Sequence, residues 1–286
     1  IPGTRNTPTG WSNNTYNFGN FQVRAIPPMS PTCEAGYVYG VTASGQLRQV
    51  APNGTVTNLG TAAPGVSNFN GLGIGLGGSP VYAIERSSGG GTSQNATVWQ
   101  YNTATGTWAS TGSSTSALGG NLGGNTGTNM IGGAVDLSTG LFYFGGFTSG
   151  GVFKVYEYNP SVNPRIRLKA TVVTAATSNS NGDIAFNANG DLFIVRGVGS
   201  STEIYSVTAA NFAAANGGTI PSSQSATIST MDSVNGVAFD SSGRAFLGSG
   251  VALRSYAMPN WSGAANIVTS GLSTTDLASC SSPATI

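Results

Sequence analysis

The chain has 286 residues, 7% of them charged, a formal net charge of +1 and no histidine. Its few basic residues are scattered, which excludes nucleic-acid binding through a clustered basic face, and no apolar run approaches the ~20 residues of a membrane-spanning helix. With 43 glycines and a surface that neutral hydroxyl and amide groups must cover, the composition favours a secreted or cell-surface protein over a cytosolic one.

Residues 1–32 are predicted to form an extended N-terminal arm. Prolines recur in this segment among Asn, Thr and Gly. The stretch YNFGNFQVRAI from Tyr16 is predicted either to add an edge strand or to pack across the domain, because its aromatic side chains need cover. The start at Ile1, without Met, fits a mature product whose signal peptide has been removed. Residues 33–280 are predicted to form one repeat domain and residues 281–286 a short tail.

A hairpin pattern recurs through the repeat domain. Each copy has a short alternating strand, a glycine-containing turn and a second strand rich in aromatic and β-branched residues, which is typical of a β-hairpin. The copies are GLGIGLGGSPVYAIE from Gly71, GGAVDLSTGLFYFGG from Gly132, NGDIAFNANGDLFIVRG from Asn181 and NGVAFDSSGRAFLGSG from Asn235.

A further strand is predicted to accompany each hairpin. The copies start at intervals of 51, 57, 49 and 49 residues, and they are LRQV from Leu47, VWQY from Val98, VYEY from Val155, IYSV from Ile204 and LRSY from Leu253. This period matches four short strands and their turns. The sequence therefore predicts an all-β protein, a β-propeller of five four-stranded blades, with one helical break at the Ala-rich run from Thr208.

The first blade lacks a first strand ahead of GYVYGV, which starts at Gly36. The segment TTDLASC from Thr274 aligns with VNGVAFD of the last hairpin and places Cys280 in the slot of Asp240, just before the turn. A second alignment, of CEAGYVY with DSSGRAF, brings Cys33 to the same slot. The C-terminal strand is thus predicted to complete the N-terminal blade, with a Cys33–Cys280 disulfide in place of the turn. The alternative is two buried free thiols.

An Asp or Asn closes the first strand of the hairpins and a glycine turn precedes an aromatic strand. Together with the Cys-bearing TTDLASC closure, this pattern resembles the poorly characterised secreted propeller modules of large bacterial surface and adhesin-like proteins. The resemblance covers about residues 33–280. It implies a propeller fold and a cell-surface setting, and it transfers no catalytic residues.

The chain has no histidine, which excludes Ser-His-Asp and Cys-His catalysis and His-containing zinc sites. Carboxylates are therefore the remaining candidates for catalytic or cation-binding residues. Asp136 and Asp240 are predicted to hold turns, as Asn187 does in its blade. Asp183 and Asp276 align at the start of innermost strands, which line the central channel. There they are predicted to bind a hard cation such as Ca²⁺, to share a proton or to serve as the acid pair of a glycosidase. The alternative is hydrogen bonding of each to backbone or water.

Four tryptophans, Trp11, Trp99, Trp108 and Trp261, are predicted either to stack on sugars or to pack between blades. No cofactor other than Ca²⁺ is predicted. These patterns favour a non-catalytic extracellular or cell-surface propeller for adhesion, recognition or assembly, with a protein or glycan ligand. The alternative is a carbohydrate-active hydrolase or a lectin-type propeller that uses the channel or a blade surface.

Overall fold

A computed structural model describes residues 28–118, 126–230 and 232–280. These residues form 21 strands and one α-helix, and they confirm the predicted all-β propeller of five blades. The tail 281–286 and residues 1–27 of the predicted arm, which include Trp11, lie outside the described residues. The described end of the arm contacts blades 1 and 2, since the Pro28 carbonyl accepts the Gly60 N–H and the Met29 carbonyl accepts the Tyr101 hydroxyl.

Each blade is a sheet whose innermost strand lies at the ring axis. Blade 1 contains β1 (Val38–Val41), β2 (Leu47–Val50), β3 (Val56–Leu59) and the C-terminal β21 (Asp276–Ala278). Blade 2 contains β4 (Phe69–Ile74), β5 (Val81–Arg86), β6 (Ala96–Asn102) and β7 (Thr107–Ser114). Blade 3 contains β8 (Thr128–Val135), β9 (Phe142–Thr148), β10 (Phe153–Tyr158), β11 (Ile166–Val173) and the added β15 (Thr219–Pro221). Blade 4 contains β12 (Asn181–Phe186), β13 (Leu192–Val198), β14 (Ser201–Val207) and β16 (Ser223–Ser229). Blade 5 contains β17 (Gly236–Phe239), β18 (Arg244–Gly248), β19 (Leu253–Ala257) and β20 (Ser262–Val268).

The ring closes through the two ends of the repeat domain. Strand β21 pairs antiparallel with β1, so that Tyr39 lies opposite Ala278 and Val41 opposite Asp276. Cys33 and Cys280 form a disulfide with a Cα–Cα distance of 5.3 Å. Both predictions about the closure are confirmed, and the alternative of two free thiols is wrong. A disulfide of this kind is typical of an oxidising, extracytoplasmic compartment.

The core lies between the blades. The buried apolar side chains of the described residues form five clusters, one for each pair of neighbouring blades. Phe69 packs edge-on against Trp99 and Trp108, with ring centroids 5.6 and 5.2 Å apart, and Trp261 packs against Phe239 and Tyr256. Trp108 and Trp261 are buried by this packing, and Trp99 is half-buried by it.

The predicted helical break is confirmed as α1 (Ala209–Ala214), which begins after Thr208, whose hydroxyl accepts the Asn211 N–H at 3.3 Å. Phe212 on this helix packs against Tyr143 and Phe186. The chain then forms β15, which pairs in parallel with β11 of blade 3. The extra strand was not predicted, because three residues without an alternating pattern give no strand signal.

Candidate functional site

Asp183 and Asp276 meet at the centre of the ring. Asp183 is the third residue of β12 and Asp276 the first of β21, and both are 0% exposed. Their carboxyl groups lie close enough for each to affect the pKa of the other. The hairpin alignment places glycines at the same level in β8 and β17. There is no room for a larger side chain at either position. A Cβ atom on Gly132 would lie 2.7 Å from Asp183 Cα, and one on Gly236 would lie 2.5 Å from Leu277 Cγ.

Asp183 is held by backbone groups from three blades. Its Oδ1 accepts the N–H groups of Gly133 in blade 3 at 3.2 Å and of Ile184 in blade 4 at 2.6 Å. Its Oδ2 accepts the Val237 N–H of blade 5 at 2.7 Å. Because a carboxylate that accepts several N–H groups is stabilised in its charged form, this is the better place for a negative charge in the pair.

Asp276 has fewer donors. Its Oδ2 accepts the Leu72 N–H of blade 2, while its Oδ1 is buried and accepts no N–H group of the described residues. The alternative given by the sequence, hydrogen bonding to backbone, therefore holds for both residues. Together they link all five blades, because Asp276 belongs to blade 1 and bonds to blade 2 while Asp183 bonds to blades 3 and 5.

Burial raises the pKa of both carboxyl groups well above the usual range. For Asp276 the neighbouring charge of Asp183 raises the pKa further, and the Leu72 N–H and the more distant positive charge of Arg86 oppose this. Such a pair is expected to hold one proton, and because Asp276 has fewer N–H donors it is the expected protonated partner.

The channel next to the pair is narrow and apolar. The cavity between the C-terminal halves of the inner strands has a volume of about 30 Å³, and it is lined by small side chains such as Ala134 and Ala238 and by large ones such as Phe186 and Phe239. A cavity of this size holds about two water molecules. A sugar unit is too large for a cavity of this size at this end of the ring.

Other acidic residues serve the fold in the ways that the sequence predicted. Asp136 Oδ1 accepts the Ser138 N–H at 3.0 Å and Asp240 Oδ1 accepts the Ser242 N–H at 2.9 Å, so both hold their turns. The Asn187 side chain does the same for Asn189 at 2.9 Å. Within residues 28–118, 126–230 and 232–280, no three His, Cys, Asp or Glu side chains are grouped so that they could hold a metal ion.

Ion pairs account for two more of the carboxylates. Glu157 pairs with Arg167 at 2.8 Å and Glu203 with Arg196 at 3.0 Å. In the part of the chain that the structure describes, no helix is long and apolar enough to cross a membrane.

A groove between blades 2 and 3 was not predicted from the sequence. It consists of two adjoining cavities of about 600 and 540 Å³, and Pro160 and Arg165 line both. These residues belong to the loop Asn159–Arg165 between β10 and β11. The sequence of this loop is NPSVNPR, in which two prolines flank a short segment and an arginine follows the second proline. This pattern indicates an exposed loop but not a groove beside it.

Comparison with known proteins gives similarity at the level of the fold. No protein-family model and no curated protein matches the sequence. A solved structure of a protein of unknown function from Bacteroides caccae is 9% identical, with a TM-score of 0.45 and coverage of 82% of this chain and 73% of that one. The periplasmic gluconolactonase PpgL of Pseudomonas aeruginosa is 12% identical, with a TM-score of 0.46 and coverage of 82% and 68%. TolB of Acinetobacter baumannii is 12% identical, with a TM-score of 0.46 and coverage of 85% and 55%. Similarities of this size carry nothing about activity.

Proposed function

We propose that this chain is a non-catalytic extracellular or cell-surface propeller that recognises a protein or glycan ligand in adhesion or assembly. The observation that carries the proposal is the use of Asp183 and Asp276. The two residues best placed for chemistry are fully buried and link the blades through backbone N–H groups. Their role is to hold the ring together, which leaves the outer surface for function.

The outer strands suit recognition through hydrogen bonds. Strands β7, β16 and β20 have the sequences TWASTGSS, SQSATIS and SGAANIV, and most of their residues are exposed or half-buried. A surface with few charges gives little electrostatic steering, so specificity must come from shape and from neutral polar contacts. The resemblance to surface and adhesin-like modules is consistent with this role.

The hydrolase alternative needs two carboxyl groups in a cleft that a sugar chain can enter, separated by about 5 to 10 Å. Asp183 and Asp276 are fully buried and their oxygens accept backbone N–H groups, so the described geometry gives this alternative no support. A hydrolase screen tests this alternative directly.

We expect the protein to bind saturably on a glycan array or a panel of extracellular proteins, without turnover in a hydrolase screen run in parallel. Binding without turnover is the signature of a recognition module. The contrary outcome is reproducible hydrolysis that Asp276→Asn abolishes while circular dichroism shows an intact fold. That result would assign the pair a catalytic role and overturn the proposal.

The Ca²⁺ site at Asp183 and Asp276 stays a prediction. If Ca²⁺ binds at this position it must displace the shared proton, and added Ca²⁺ then raises the melting temperature at neutral pH in the wild type and has no effect in Asp276→Asn. The measurement is thermal melting with Ca²⁺ and with chelator, together with metal analysis. Identical melting under both conditions and no bound metal would remove the hypothesis.

A further inference from the structure

The groove between blades 2 and 3 has the size of a ligand site. Each of its two cavities, about 600 and 540 Å³, falls in the range of small-molecule pockets, and together they suit an elongated ligand. One wall comes from β6 and β7 of blade 2, including Gln100 and Thr111, and the other from the loop Pro160–Arg165 of blade 3. Arg165 lies where the cavities join, because it lines both.

Arg165 differs from the other cations of the described residues. Among residues 28–118, 126–230 and 232–280 it is the one Lys or Arg whose side chain has no hydrogen-bond or ion-pair partner. The others bind a carbonyl oxygen, a side-chain oxygen or a carboxylate: Arg48, Arg86, Lys154, Arg167, Lys169, Arg196, Arg244 and Arg254. Among the described residues that line the groove, none is acidic. The groove therefore presents one exposed, uncompensated positive charge.

The rest of the lining is neutral and rich in amide and hydroxyl groups. The side chains of Gln100 and Asn163 have no partner among the described residues, which leaves both amides available to a ligand. The groove lining also includes the apolar side chains of Pro160, Pro164 and Val162. Val162 is 45% exposed. Amides and hydroxyls match the hydroxyl groups of sugars, and apolar side chains match the C–H faces of sugar rings.

The loop that carries Arg165 is fixed before any ligand arrives. The Asn159 N–H donates to the Arg165 carbonyl at 2.8 Å, and the Asn159 side chain accepts the Ser161 N–H at 2.9 Å. A loop closed by its own hydrogen bonds loses little conformational entropy on binding, which favours affinity.

We propose that this groove binds an acidic oligosaccharide, with Arg165 pairing with a carboxylate of a uronic acid unit. The proposal rests on the recognition function above and gives it a site and a ligand class. A guanidinium forms two parallel hydrogen bonds with a carboxylate, and such charge-assisted bonds are stronger than neutral ones. The neighbouring amides bind the ring hydroxyls and orient the chain along the groove.

The test is calorimetric titration of the whole chain with tetragalacturonate and with its neutral methyl ester. We expect binding of the acid, at least about tenfold weaker binding of the ester, and at least about a tenfold loss for Arg165→Gln. The affinity of the acid is also expected to fall between 50 and 200 mM salt at roughly the slope of a single ion pair. Arg254→Gln, which removes an equal charge on blade 5, is the matched control and is expected to bind as the wild type does.

The other possible results of these titrations contradict different parts of the proposal. Equal affinity for the acid and the ester, or no effect of Arg165→Gln, overturns the groove assignment and leaves the recognition function standing. Tighter binding of tetraglutamate than of tetragalacturonate overturns the ligand class. A failure of both galacturonate probes to bind overturns the proposal, while binding elsewhere on a glycan array still supports recognition. Cleavage of the probe by the wild type overturns the non-catalytic function itself.

Discussion

Replacing Asp276 with asparagine is expected to raise the free energy of unfolding at pH 8 and to flatten its dependence on pH. In the wild type the pair keeps a proton that the unfolded chain releases near the ordinary Asp pKa of 3.8. Because the folded pKa is raised, the stability contributed by the pair is full below about pH 4 and is lost as the pH rises through the folded value. The slope reaches about 1.4 kcal/mol per pH unit for one proton. Asparagine removes this titration, and its Oδ1 is able to accept the Leu72 N–H that Asp276 Oδ2 accepts in the wild type.

The matched variant Asp183→Asn is expected to behave in the opposite way. Asparagine has one oxygen, so it cannot accept the Gly133, Ile184 and Val237 N–H groups that the two carboxylate oxygens accept. Leaving a buried donor unpaired costs roughly 2 to 3 kcal/mol. Urea unfolding of both variants between pH 4 and pH 9 measures the difference. Equal destabilisation by the two variants, or a wild-type slope that Asp276→Asn leaves unchanged, would refute the assignment of the proton to Asp276.

The double variant Cys33→Ser, Cys280→Ser is expected to fold and to melt lower, by on the order of 10 °C. The disulfide joins residues 247 positions apart, and in the chain-entropy model a loop of this length corresponds to about 5 kcal/mol. The fold should persist, because the ladder between β21 and β1 and the packing of Leu277 against Gly236 and Gly248 do not depend on sulfur.

Thermal melting with and without reductant measures this effect, and non-reducing mass mapping verifies the pairing in the wild type. The reductant should lower the melting temperature of the wild type towards that of the double variant and leave the double variant unchanged. A double variant that melts together with the oxidised wild type would show that noncovalent contacts alone close the ring.

The hairpin repeat made the fold predictable, because it set the two cysteines in one slot and aligned Asp183 with Asp276. The alignment did not predict which N–H groups bind each carboxylate. Those bonds depend on how closely β8 and β17 approach the axis, and this approach rests on single glycines in other blades, Gly132 and Gly236. Such contacts join residues far apart in sequence, so no local pattern predicts them.

The groove was unpredictable for a different reason. Prolines and polar residues at Asn159–Arg165 indicate a loop, but the free volume beside it depends on the separation of blades 2 and 3 and on the path of the loop. That Arg165 has no partner among the described residues depends on where the acidic side chains lie in the folded chain. Strand β15 was likewise missed, since its three residues become a strand only through parallel pairing with β11.

The placement of β21 in blade 1 has a consequence for biogenesis. When the chain is made and exported from its N-terminus, β1, β2 and β3 emerge long before β21. The inner edge of blade 1 therefore stays unpaired while the other four blades assemble. Long-range pairing of this kind slows folding. During that interval the open edge of β1 is able to pair with β21 from a second molecule, so we expect domain-swapped dimers as the characteristic misassembly at high concentration. Oxidation of Cys33 with Cys280 of the same molecule then makes correct self-closure permanent.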